Sequence, residues 1–187
     1  LACTGIILLY TTVPKPKREV FHRDTEWMTS SLKSMTRNSE LRRLDFGIFT
    51  LHAILSSLFL IIPKILLDNG VDASKHWHIY VPALIGALFI MIPGTIIAEK
   101  QRKMKEVMTS AIFFLTLSVA ALWVIPYSTV SIGLIMLCFF GVFSLLEACL
   151  PSLVSKIAPA CSKGTAIGIY SASQFLGIFC GGSLGGL

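Results

Sequence analysis

One acid, Glu147, lies inside a long apolar segment, about one helical turn from its basic-flanked end. A carboxylate held deep in lipid costs roughly 2.5 kcal/mol or more, so Glu147 calls for a partner, unless it reaches the interface or itself carries a proton. His52 sits about two turns into another apolar segment, with Ser56 at i+4 on the same face. A histidine there either lines a cavity and titrates near neutral pH or is hydrogen-bonded to a neighbouring helix, and the second is the simpler reading. Tyr170, Ser171 and Gln174 form the polar patch of the last apolar segment, either lining a cavity or bonding to another helix.

Other chemistries lack their residues. His76 and His78 flank Trp77, but two histidines are too few for a metal site, and an interfacial aromatic anchor fits them better. No cofactor is expected. Cys3, Cys138, Cys149, Cys161 and Cys180 show no paired spacing and read as packing residues or free thiols. A membrane-embedded enzyme would need convergent His, Asp or Cys residues, or a Gly-x-Ser-x-Gly or His-Glu-x-x-His motif, and neither motif occurs. A phosphate-binding Gly-x-x-x-x-Gly-Lys-Ser/Thr loop is also missing, which directs the energy source toward an ion gradient. A scaffold or receptor segment is the remaining, more distant class.

The elements that position these residues must be membrane spans. Of 187 residues, 54% are hydrophobic and 14% charged, against about a quarter charged in soluble domains. Apolar blocks at 45–67, 77–98, 107–125, 130–150 and 164–187 are each long enough for a hydrocarbon core of about 30 Å. Asp45 suits the N-cap of the first. Lys and Arg number eight in 11–44, four in 99–106 and two in 151–163, with only Lys64 and Lys75 in the alternate connections. The net charge of +6 is therefore a topological signal placing those three connections in the cytoplasm, and not a nucleic-acid footprint. Within 11–44, Met28, Leu32 and Met35 recur at helical spacing beside Trp27, which fits either a surface amphipathic helix or an irregular linker. Residues 1–10 read as the tail of a helix cut in the middle, and the chain is expected to be truncated at both ends.

A long basic connection ahead of helices joined by short loops resembles the middle of a major facilitator transporter, in which two six-helix halves are joined by such a linker. The resemblance is carried by Leu44-Asp45-Phe46-Gly47-Ile48 through Pro63 and by Ala98-Glu99-Lys100-Gln101-Arg102-Lys103-Met104-Lys105. It is also carried by Leu146-Glu147-Ala148-Cys149-Leu150-Pro151-Ser152-Leu153, and by Lys163-Gly164-Thr165-Ala166-Ile167-Gly168-Ile169-Tyr170-Ser171 with Gln174-Phe175-Leu176-Gly177. Together these strings resemble bacterial YajR-type efflux transporters over roughly 44–187.

The resemblance implies an all-α integral membrane fold. Residues 1–10 would end helix 6, 11–44 would be the linker, and 45–187 would hold helices 7 to 11 of the second half. It implies proton-driven efflux of a small organic molecule such as a drug or sugar, with an uptake permease or facilitator as the alternative. The absent first half of the chain, the bilayer, protons and the small-molecule substrate are the implied partners. The family's signature loop runs Gly-x-x-x-Asp-Arg-x-Gly-Arg-Arg/Lys. Here Glu99 stands for its Asp and Arg102-Lys103 for its basic pair, while Gly94 falls one place too far upstream. By pseudo-symmetry, Glu147 is expected to pair with Arg102 or Lys103 near Glu99 as a cytoplasmic latch, so that Glu147→Gln should weaken the inward-closed state. Gly164 and Gly168, then Gly177, Gly181 and Gly185, recur at i+4 and offer a smooth ridge for close helix packing. The same resemblance has the start of helix 11 dock on the first half's signature loop.

Overall fold

The structure, a computed structural model, describes residues 11–12 and 29–186. The proposed helix tail at 1–10 and most of the linker, including Trp27 and Met28, lie outside the described residues. All regular structure among the described residues is helical: α1 (Thr29–Arg37), α2 (Ser39–Asp68), α3 (Trp77–Lys100), α4 (Met104–Val124), α5 (Thr129–Ile157) and α6 (Lys163–Gly185). Five of these, α2 to α6, are long and apolar enough to cross a membrane. Their exteriors carry large apolar side chains such as Phe89, Trp123, Phe175 and Phe179, which water would not stabilise but lipid does.

Two helix ends differ from expectation. α2 begins at Ser39, where Asn38 caps it by accepting from the amides of Glu40 (2.9 Å) and Leu41 (3.3 Å). Asp45, expected to be the cap, lies inside the helix. The early start is held by Leu41, which is buried, and by Met35 of α1, which packs into the same core. The linker's last part is therefore a helix seated on protein. At 30 residues α2 is about 45 Å long and outreaches a hydrocarbon core of about 30 Å.

α5 was expected to stop at Pro151 but runs on to Ile157. Proline removes a backbone donor, yet neighbouring helices can compensate for this inside a bundle. Burial of Val154 beyond the proline anchors the extra turns.

α5 is the central post and packs against α2, α3, α4 and α6. α3 and α5 approach closely because Gly86 and Gly94 receive Leu137 and Leu145, while Gly141 receives Ile90. The other extensive seam joins α2 to α6. Side chains at Gly177 and Gly181 would run into the carbonyl oxygens of Phe49 and Ala53, and one at Gly185 would meet the Ser57 Cα at 2.9 Å. Ser57 fastens this seam: its one hydroxyl hydrogen is shared between Gly181 O across the seam (2.9 Å) and Ala53 O of its own helix (2.9 Å). Gly164 and Gly168 are different: both are exposed, and a side chain at Gly168 would meet nothing within 4 Å among the described residues.

Candidate functional site: a buried polar cluster and a charged clasp

α2, α5 and α6 each bring polar groups to one place. His52 from α2 is buried, 5% exposed, and edges onto the Phe143 ring of α5 at 5.5 Å between centroids. Its Nδ1 faces its own helix's Ile48 carbonyl at 3.3 Å, while Nε2 faces across the seam. Gln174 of α6 reaches over, with its amide nitrogen 2.8 Å from His52 Nε2 and donating to Glu147 Oε1 at 3.2 Å. The second carboxylate oxygen, Oε2, is 3.6 Å from His52 Nε2 and has no hydrogen bond among the described residues. The Tyr170 hydroxyl, one turn before Gln174 on α6, is buried and also has no hydrogen-bond partner among the described residues.

Helical arithmetic explains the meeting. His52, Glu147 and Gln174 each lie roughly three to four turns in from the basic end of their helices, so the three share one depth. The continuation of α5 past Pro151 puts Glu147 deeper along its helix than one turn.

The expected pairing of Glu147 with Arg102 or Lys103 is corrected by this geometry. Glu147 faces His52 and Gln174, whereas Arg102 and Lys103 are exposed and make no ion pair among the described residues. Glu99 instead accepts from Ser152 Oγ (2.6 Å) and Lys156 Nζ (2.6 Å), which stand at i and i+4 on the extended end of α5. This clasp ties the end of α3 to the end of α5. Both partners are well exposed, so solvent screens the pair and it adds little to stability; its Lys156 and Ser152 hydrogen bonds hold the Glu99 carboxyl below the usual carboxylate range. Sequence reasoning missed Lys156 and Ser152 because α5 was expected to end before them.

Arg102 has φ of +57°, in the left-handed region that favours glycine. Counted from Glu99, it occupies the place of the second glycine in the signature loop quoted above, so in this register the basic pair falls on Lys103 and Met104 rather than on Arg102 and Lys103. The loop thus keeps a glycine-type turn without the glycine.

Ser56, a candidate cavity-lining residue by its sequence position, stands against α6 near Gly182. Its neighbour Ser57 faces a groove of about 580 Å³ between α2, α4 and α6, with Phe49, Thr50, Trp123 and Tyr127 also in its wall. No group of three or more His, Cys, Asp or Glu residues is disposed to hold a metal among the described residues.

A half-bundle of five spans with a polar cluster at mid-depth is the architecture of a secondary-transporter half. The chain matches the Major Facilitator Superfamily over residues 1–182 and belongs to that family of membrane transporters. It is 39% identical over 186 residues to the inner membrane transport protein YajR of Escherichia coli K12, covering 100% of this chain and 41% of that protein. It is also 28% identical to an uncharacterized transporter of Buchnera aphidicola subsp. Schizaphis graminum, covering 98% of this chain and 47% of that one. The chain thus spans less than half the length of these curated relatives. No solved structure matches it significantly. The family makes it a multi-pass membrane protein of the transport class rather than an enzyme.

Proposed function

We propose that this chain is the second half of a proton-coupled secondary transporter, residing in the cell (inner) membrane, that exports a small organic molecule by alternating access. The observation that carries the reading is the His52–Gln174–Glu147 cluster. It sets a titratable ring beside a carboxylate at mid-depth in an otherwise apolar bundle, where ionisable groups serve proton or ion pathways. Supporting it, the exposed Gly164–Gly168 face at the start of α6 is smooth enough for the first half of the protein to approach. The Glu99 clasp, with Arg102 and Lys103 beside it, serves as the cytoplasmic gate on this reading. The length of the relatives beyond this chain's match accommodates the other half.

The test is made on the full-length protein in everted membrane vesicles carrying a respiration-driven proton gradient, with a pH-sensitive dye. Addition of one class from a panel of cationic drugs and sugars should collapse the gradient. Glu147→Gln should abolish that response while leaving the protein inserted in the membrane. A full response in Glu147→Gln would remove the cluster from the proton path. Silence across the whole panel would move a facilitator or uptake permease to the front.

A further inference from the structure

Gln174 touches both ionisable members of the cluster with one atom, and that restricts which protonation states it tolerates. An amide nitrogen only donates. At 2.8 Å from His52 Nε2 it requires a lone pair on that nitrogen, which leaves the neutral ring's proton on Nδ1, facing the Ile48 carbonyl at 3.3 Å. Its other hydrogen points to Glu147 Oε1 at 3.2 Å. The bridge is thus complete only with His52 neutral.

A proton arriving at Nε2 sets two donors against each other at 2.8 Å. Rotating the amide to present its oxygen does not restore the bridge, because that oxygen would then face Glu147 Oε1. The proton does have another acceptor. Glu147 Oε2 makes no hydrogen bond among the described residues and is 3.6 Å from the same ring nitrogen, so His52 and Glu147 close on each other as Gln174 lets go. What Gln174 releases is α6, because Tyr170, Gln174, Gly177, Gly181 and Gly185 share the stripe facing α2. Beyond Gln174 that stripe is backbone against backbone, with the Ser57 hydroxyl as its one side-chain hydrogen bond across the seam among the described residues.

We propose that Gln174 is a positioning residue that reads the protonation state of His52: its amide ties α6 to α2 and α5 while His52 is neutral, and the arrival of a proton breaks the tie and frees α6 to slide along the glycine seam. The inference rests on the proton-coupled reading above and adds the device by which the proton moves a helix. The groups able to act on His52 come from each element packed on α2. α5 brings Glu147, α6 brings Tyr170, α2 itself brings Asp45, and α1 brings Lys33 and Arg37, both exposed. The turn Ala73–Lys75 lies at the far end of α2, with Lys75 paired to Asp72. Of these groups, only Glu147 touches His52.

The experiment uses the full-length protein in lipid nanodiscs with no substrate. ¹⁵N NMR of the His52 ring reports its tautomer and titration, and nitroxides placed at the exposed positions Phe46 and Phe175 report the separation of α2 and α6. At alkaline pH His52 should carry its proton on Nδ1. Below its midpoint a second α2–α6 distance should appear. Gln174→Glu, whose carboxylate accepts from the charged ring, should raise that midpoint by about 1 pH unit or more. Gln174→Leu should show the second distance at every pH. A neutral ring protonated on Nε2, an unmoved midpoint in Gln174→Glu, or a pH-independent distance in the wild type overturns the proposal while leaving His52 a proton site. A His52 ring that fails to titrate between about pH 4 and 9 instead overturns the proton-coupled reading itself, and the proposal with it.

Discussion

Arg102 shows how far one backbone angle can be interpreted. A side chain at φ +57° is held there at a cost of roughly 1 kcal/mol relative to glycine, and the two residues that follow open α4. Arg102→Gly should therefore stabilise the full-length protein in detergent or leave it unchanged, with a gain of up to about 1 kcal/mol in thermal unfolding. Clear destabilisation would mean that the guanidinium holds a partner outside the described residues. The acids carry a different lesson. That Glu147 needed a partner was legible from lipid energetics alone, but which partner was not. The signature-loop resemblance directed it to Arg102 or Lys103, whereas depth along the helices directs it to His52. The two residues lie at similar depth from the basic face, a cue already present in the sequence. Reading it required the correct end of α5, and Pro151 concealed that end.

At the scale of elements, the two glycine sets make opposite predictions. Gly181→Ala puts a methyl against the Ala53 carbonyl and should cost about 1–3 kcal/mol, seen as lower thermal stability and poorer yield of folded protein. Gly168→Ala meets nothing among the described residues and should stabilise its helix by about 0.5–1 kcal/mol. If transport falls in Gly168→Ala while stability holds, the exposed face is an interface with the first half. Equal tolerance at both sites would contradict the close α2–α6 seam. The i+4 spacing made the ridge visible in the sequence, and in the structure Gly177, Gly181 and Gly185 lie against the backbone of α2. The spacing could not tell them from Gly164 and Gly168, because the i+4 period says which residues align and not what lies opposite. Span number and order were legible for a stronger reason: block length and the Lys/Arg count are imposed by the bilayer and need no knowledge of packing. Helix ends were less so, since Asn38 and Leu41 extend α2 through contacts made beyond the apolar block.

For the whole molecule, the charge asymmetry commits every connection to a side. Cys161, exposed in the turn between α5 and α6, falls on the cytoplasmic side by that rule. A membrane-impermeant maleimide should label it in everted vesicles and not in right-side-out cells, with a Cys161→Ser variant as the control. Labelling from the outer face would reverse the topology and with it the assignment of the Glu99 clasp to the cytoplasmic gate.

The distance along the chain between His52 and Gln174, 122 residues, also bears on how the protein is made. At a synthesis rate of roughly 5–20 residues per second, α2 enters the membrane some 6–25 s before α6 exists. Until α5 emerges with Glu147, the imidazole sits in lipid or in the insertion machinery without either of its eventual partners, and Gln174 is missing for the whole interval. The nascent chain has to be shielded until its last described helix arrives. A ribosome stalled between α5 and α6 would leave an unsealed polar spot at mid-membrane, a mark by which quality-control proteases can recognise the unfinished product.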